Sequence, residues 1–266
     1  NKGGRKIGIV IDESGSMYSA DPYDLRVDAG RALNDWLISS SEAGDGKSAD
    51  LVTVIGFDDT TRTYYSLGDP SGADDALDEI TIVGGTWISR GVDAATAELN
   101  KSGNDPTADR SGIVVLTDGE DFDTEGLVDA INNAGSQGIR VSFGFLQSGF
   151  YSSFSYQDPE VLVAIINTGG KYANIDSYNA QNAFVNYMIA NGLTASDSSS
   201  IQNQSLVLNG LSIAFIIDQS GINTLTYNAE GGEGLTFTIT SVSAGDLNVT
   251  AMDANGKELG TTSVDS

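Results

Sequence analysis

The chain of 266 residues carries 13 basic side chains against 37 acidic ones, a formal net charge of −24, and has neither Cys nor His. A surface so negative repels nucleic acid and anionic membrane. The missing residue types exclude a thiol nucleophile, a Ser-His-Asp triad and zinc sites built on Cys or His, so any resident metal is hard and bound by oxygen.

A hydrophobic content of 39% is enough for a buried core. No apolar run is long enough to cross a bilayer, and Asn1 opens no signal-peptide pattern, which argues against membrane insertion. The acids are mostly Asp, 27 against 10 Glu. Such a surface suits cation-rich surroundings, where screening weakens self-repulsion, and equally a plain soluble surface.

Along the chain, Ile7–Ile11 is the first apolar run, rich in Ile and without strict alternation, as in a parallel strand covered on both faces. Asp21-Pro22 then reads as a helix N-cap with proline in the first turn, followed by apolar Leu25, Ala29, Leu33, Trp36 and Leu37. Arg26 and Arg31 on this helix read as surface partners of nearby acids. Leu51–Phe57 is a second buried strand, and Thr63–Leu67 an antiparallel edge strand after a turn. Ile88, Val92, Ala95 and Leu99 form a helical stripe, Ile113–Leu116 a third buried strand, and Thr124 precedes the next helix. Ile139–Phe145 is the fourth strand, Asp158-Pro159 opens another helix, and a last helix through Phe184, Val185 and Met188 ends near Asn191-Gly192.

Strands alternating with helices predict an α/β fold, a doubly wound, mostly parallel sheet flanked by helices, over residues 1–193. The small, polar stretch Thr194–Ser200 reads as a linker. Short β-rich runs separated by turn residues then predict a C-terminal all-β sandwich over residues 201–266.

Three separated segments carry the chemistry: Asp12-Glu13-Ser14-Gly15-Ser16 after the first strand, Gly84-Gly85-Thr86 before a helix, and Thr117-Asp118-Gly119 after the third buried strand. In an open parallel sheet, ligands bind at the carboxyl ends of strands where the strand order reverses. Carboxylates far apart in sequence therefore converge there. Two hydroxyls two positions apart beside one carboxylate suit neighbouring vertices of a magnesium-like ion, with Gly15 expected to let the backbone turn between them. Thr86 adds a third hydroxyl and Asp118 a second carboxylate, directly or through water. Each segment alone is a common capping turn. Together, in order and on a matching βα pattern, they specify a site.

With all five positions in place, the sequence resembles the von Willebrand factor type A (VWA) family over about residues 5–192. Its metal-ion-dependent adhesion site (MIDAS) has the pattern Asp-x-Ser-x-Ser, a distant Thr, and a distant Asp in Thr-Asp-Gly. Gly169-Gly170 before Tyr172 also resembles the segment preceding the last strand of such domains. The resemblance implies a metal site made of Asp12, Ser14, Ser16, Thr86 and Asp118, holding Mg²⁺, with Mn²⁺ or Ca²⁺ as alternatives. It implies a binding (adhesion) module, not an enzyme, on the cell surface or outside the cell, whose partner supplies an Asp or Glu carboxylate to the metal. Tyr18 and Trp87 adjoin metal ligands and read as partner contacts, Trp87 equally as core. An intracellular assembly subunit of an ATPase- or chelatase-like complex, or a Mg²⁺-dependent hydrolase, are the competing readings. Glu120, Asp121, Asp123 and Glu125 crowd the loop after Asp118. Helix-start acids explain them more simply than a second cation does.

Overall fold

The computed structural model describes residues 4–101, 109–119, 121–146, 158–175, 178–197, 205–208, 211–215, 217, 221–232, 234–239 and 246–264. At the centre lies β1 (Lys6–Asp12), buried along its whole length because it has parallel neighbours on both sides. These are β2 (Leu51–Phe57) and β4 (Ser111–Thr117). The sheet continues parallel through β5 (Arg140–Leu146) and β6 (Tyr172–Ile175). Its edges are antiparallel: β3 (Thr61–Gly68) beside β2, and β8 (Ile213–Ala214) beside β6.

Helices cover both faces, which is why the strands read as continuous apolar runs. On one face, Ile7, Ile9 and Ile11 pack with α2 (Leu25–Trp36) and α7 (Tyr178–Asn191). On the other, Val10, Val115 and Phe143 pack with α4 (Ile88–Leu99), α5 (Thr124–Ser136) and α6 (Pro159–Asn167). Two short helices, α1 (Met17–Ala20) and α3 (Asp74–Leu77), fill connections. Among the described residues no helix is long and apolar enough to cross a membrane.

The predicted strands and helices are present in the α/β part, with ends shifted by a residue or two. Asp158 caps α6 by accepting from Glu160 N at 2.8 Å, with proline in the first turn as expected. The start of α2 differs from expectation. The chain first makes α1, and α2 begins at Leu25 behind Asp24, which has φ 53°. Asp21 still serves the helix, but from a distance, its carboxylate accepting from Leu25 N and Arg26 N at 2.7 and 3.0 Å.

The carboxy-terminal part also differs. The chain divides into two compact units, Asn1–Asn228 and Ala229–Ser266, so the boundary expected at residues 193–201 falls inside the first unit. The reason is packing across that segment. Leu193, Thr194 and Leu211 are buried, Asp197 pairs with Arg5 at 2.5 Å, and β8 completes the main sheet. The expected linker thus begins as anchored backbone, a 3₁₀ turn at Ala195–Asp197. Also within the first unit, β7 (Ser205–Val207) pairs in parallel with β9 (Leu225–Tyr227). In the second unit, β10 (Leu247–Met252) and β11 (Glu258–Val264) form an antiparallel hairpin closed by Asp253, whose carboxylate accepts from Asn255 N and Lys257 N. Both of its strands are largely exposed. Among the described residues the expected C-terminal β structure is present as these small two-stranded sheets and an added edge on the α/β sheet, which indicate a sandwich only loosely.

Candidate metal centre

The order β2-β1-β4 places the first strand between one neighbour reached in each direction, so the strand order reverses at β1. Asp12 ends β1 and Asp118 follows β4. Parallel pairing brings the two loops side by side.

Hydrogen bonds link the polar groups of these loops. Ser14 N donates to Asp12 Oδ1 at 2.7 Å, and Thr117 Oγ1 donates to Asp12 Oδ2 at 2.6 Å. Ser14 Oγ lies 2.9 Å from Ser16 Oγ, and Ser16 Oγ donates to Asp118 Oδ1 at 2.9 Å. Neighbouring ligands of an octahedral ion with bonds of about 2.0–2.1 Å stand about 2.9 Å apart, the spacing found here. It is also that of ordinary hydrogen bonds, through which these hydroxyls satisfy one another. Thr86 joins from the third loop: a Cβ on Gly119 would lie 3.2 Å from Thr86 Cγ2 and 3.7 Å from Thr86 Oγ1. The five expected residues are thus gathered at one end of the sheet, four of them linked by hydrogen bonds and Thr86 alongside. Two carboxylates and three hydroxyls make an all-oxygen donor set, which fits a hard divalent ion. Among the described residues no group of three or more Asp or Glu side chains is placed to hold a metal; the carboxylates gathered with the three hydroxyls are Asp12 and Asp118.

The loop turns by a different device from the one expected. Gly15 does not take a positive φ; its N–H donates to Gly84 O at 3.1 Å, and Gly84 is the residue in the left-handed region, at φ 81°. A side chain at Gly84 would be strained there and would also press on Asp58 and Asp59.

Burial pushes the Asp12 carboxyl up to about 6, against the lowering pull of the Ser14 and Thr117 hydrogen bonds. Asp118 is raised as well, by burial first, with its Ser16 hydrogen bond opposing. For Asp12 the folded value lies above the unfolded value of 3.8. Its contribution to metal-free stability is therefore fully present below that value and lost as pH rises through about 6. A shift of this size corresponds to roughly 3 kcal/mol. A cation competes with that proton. Melts in Mg²⁺ and in EDTA should therefore diverge increasingly as pH rises from about 5 to about 7. An equal divergence at both ends of that range would show that Asp12 is not the group titrated.

Two residues that the sequence reading placed elsewhere, or passed over, frame the site. Arg26 is buried, contrary to the expected surface pair: Nε donates to Asp12 O at 2.9 Å, and NH1 pairs with Asp21 and Asp24 at 2.9 Å each. The signal was available, because Arg26 stands three, four and seven residues before Ala29, Gly30 and Leu33 on the buried stripe. Arg31 does make an exposed pair, with Asp78 at 2.6 Å. Glu13, between two ligand positions, is also buried. It accepts from Tyr64 Oη at 2.6 Å, Arg62 NH1 at 2.9 Å and Thr81 N at 2.9 Å, and Val83 N donates to its carbonyl. A side chain at Gly56 would overlap the Glu13 carboxylate. Glu13 thereby fastens the segment leading to Thr86 onto the loop carrying Asp12.

The acids beyond Asp118 serve helix ends. Asp121 accepts from Ser89 N at the start of α4 at 2.6 Å and from Asp123 N at 2.8 Å, while Asp123 caps α5 through Gly126 N at 3.0 Å. Glu120 lies outside the described residues. Tyr18 is 72% exposed, whereas Trp87 is half-buried, edge-on to Phe122 with ring centroids 5.8 Å apart.

Comparison with known proteins agrees with this architecture. Residues 7–120 match the family model of the von Willebrand factor type A domain. A solved von Willebrand factor type A protein from Catenulispora acidiphila is similar at 19% identity and TM-score 0.53, covering 70% of this chain and 42% of its own. The conserved hypothetical protein BatB from Bacteroides thetaiotaomicron is similar at 23% identity and TM-score 0.50, covering 69% and 96%. Proximal thread matrix protein 1 from the mussel byssus, solved with a zinc-occupied MIDAS motif, is similar at 17% identity and TM-score 0.53, covering 70% and 44%. This chain thus spans less than half the length of the first of these structures. No curated protein matches it. A doubly wound sheet with these loops at its reversal point agrees with the family match, which places a von Willebrand factor type A domain at residues 7–120.

Proposed function

We propose that this domain is a divalent-cation-dependent binding module, working outside the cell or at its surface, whose partner is a protein presenting an Asp or Glu carboxylate. Asp12, Ser14, Ser16, Thr86 and Asp118 would hold the ion, Mg²⁺ by preference, with Mn²⁺ or Ca²⁺ accepted. The observation that carries this reading is the hydrogen-bonded row from Asp12, through the Ser14 N–H, and from the Ser14 hydroxyl through Ser16 to Asp118. The bound ion supplies electrophilic attraction for one further anionic oxygen, because two carboxylates do no more than neutralise a divalent charge. The chain's own residues set the site: Arg26 and Thr117 fix Asp12, and Glu13 fixes the approach of the Thr86 loop. A metal bridge also lets a chain of net charge −24 accept an acidic group that its surface would otherwise repel. A non-enzymatic role is supported by the absence of His as a general base.

Calorimetric titration of the EDTA-stripped chain with Mg²⁺, Mn²⁺ and Ca²⁺ should give one site. Binding to a panel of cell-surface proteins should then appear with the ion and disappear in EDTA. Partner binding that persists unchanged in EDTA would overturn the proposal.

A further inference from the structure

Around the metal site, the three loops expose apolar side chains in a concentrated patch. Tyr18 follows Ser16 and is 72% exposed, Val83 precedes Gly84 and is 51% exposed, and Phe122 follows Asp118 and is 67% exposed. Tyr23, on the connection after α1, is exposed too. Among the described residues before Asp197, Val163 is the one exposed large apolar side chain that lies elsewhere. Phe122 is held over the Thr86 loop: its N–H donates to Thr86 O at 3.3 Å, and its ring occupies the space beside Gly85. Trp87 supports Phe122 edge-on, and the Arg90 guanidinium lies 4.1 Å from the Trp87 ring centroid. Exposed acids stand beside these side chains: Asp59, which accepts from Gly85 N at 3.1 Å, and Asp123 and Glu125 at the start of α5.

The surface at the proposed cation thus presents exposed apolar side chains and, beside them, negative charge. We propose that it docks a protein segment of complementary chemistry: one carboxylate for the cation, bulky apolar residues on each side, and Lys or Arg next to them. This rests on the metal-dependent reading above and specifies its partner. Clustered exposed aromatics beside a charged centre provide area that a partner desolvates at small entropic cost. The adjoining acids, on a chain of net charge −24, favour a basic flank and repel an acidic one. The carboxylate alone gives attachment, and the side chains beside the cation give the choice of neighbours.

The test uses the full chain and synthetic peptides, followed by fluorescence anisotropy in Mg²⁺ and in EDTA. The reference peptide has a single Asp between Leu and Phe, with Lys outside them. It should bind in Mg²⁺ and not in EDTA. Replacing its Leu and Phe by Ser, or its Lys by Glu, should weaken binding about tenfold, and replacing Asp by Asn should abolish it. The variants Phe122→Ser and Tyr18→Ser should each lose several-fold affinity for the reference peptide and little for the Ser peptide, while Mg²⁺ raises their melting temperatures as in the wild type. If the reference peptide binds no better than the Ser peptide, or not at all, while Mg²⁺ still stabilises the chain, the docking surface is overturned and the metal site stands. If Mg²⁺ leaves the wild-type melt unchanged, the metal reading falls and this proposal falls with it.

Discussion

Asp12→Ala is expected to melt at the same temperature in saturating Mg²⁺ as in EDTA, whereas the wild-type chain gains about 2.7 kcal/mol with the ion at a hundredfold excess over its Kd. Asp12 is wholly buried and accepts from Ser14 N and Thr117 Oγ1. Losing it removes one of the two carboxylates a hard ion would find there. The fold should survive, because two effects oppose each other in the metal-free state. Truncation leaves the Ser14 N–H and the Thr117 hydroxyl without their acceptor, at about 1–3 kcal/mol each. It also relieves an ionised carboxylate whose burial disfavours its charge by roughly 3 kcal/mol at neutral pH. Asp28→Ala, on the exposed side of α2, is the matched control and should keep the full effect of the ion. Differential scanning calorimetry of both variants with and without Mg²⁺ reads the outcome. Retained stabilisation in Asp12→Ala would place the cation elsewhere.

The second large effect belongs to Arg26. Arg26→Met should lower the unfolding free energy by about 3–5 kcal/mol, the cost of stranding a buried charge by removing its partner. Asp21 is the group stranded: its side chain is fully buried and pairs with the Arg26 guanidinium at 2.9 Å. The carbonyl of Asp12 loses its donor in the same step. Methionine fills much of the arginine volume, so the loss is electrostatic more than a cavity effect. Adding Asp21→Asn should recover part of it, because the amide keeps an acceptor for Leu25 N or Arg26 N and carries no charge. Urea unfolding of the single and double variants gives the coupling. A cost below about 1 kcal/mol for Arg26→Met would mean that the pair behaves like one at the surface. The same variant should bind Mg²⁺ more weakly, since the backbone of Asp12 is then held on one side only.

The strands and helices of the α/β part were legible because their signals are local. Buried parallel strands such as Leu51–Phe57 read as unbroken β-branched runs, and α4 shows its stripe at Ile88, Val92, Ala95 and Leu99. The convergence of Asp12 and Asp118 was legible for a topological reason: successive βα units leave their loops at one end of the sheet. Arg26 and Glu13 were misjudged or missed because composition treats charged residues as surface. Their burial depends on partners far away in sequence, with Glu13 meeting Tyr64 and Thr81, and Arg26 meeting the backbone of Asp12. The capping role of Asp121 had the same origin, since its donor is Ser89 of another helix.

The sequence by itself determined which residues carry oxygen donors and which end of the sheet they occupy. Each of these follows from residue type and period, and neither depends on long-range contacts. Only the tertiary structure decided that Gly84, not Gly15, makes the left-handed turn beside the site, because φ at a loop glycine is set by the contacts on either side of it. It alone decided that residues 193–228 belong with the α/β unit, through the buried Leu193 and Leu211, the Arg5–Asp197 pair and the antiparallel pairing of β8 with β6. A short polar stretch followed by weak β-runs reads the same whether it leaves a domain or closes one. The difference lies in a two-residue strand finding a free sheet edge, and edge pairing is a non-local contact that no window of sequence contains.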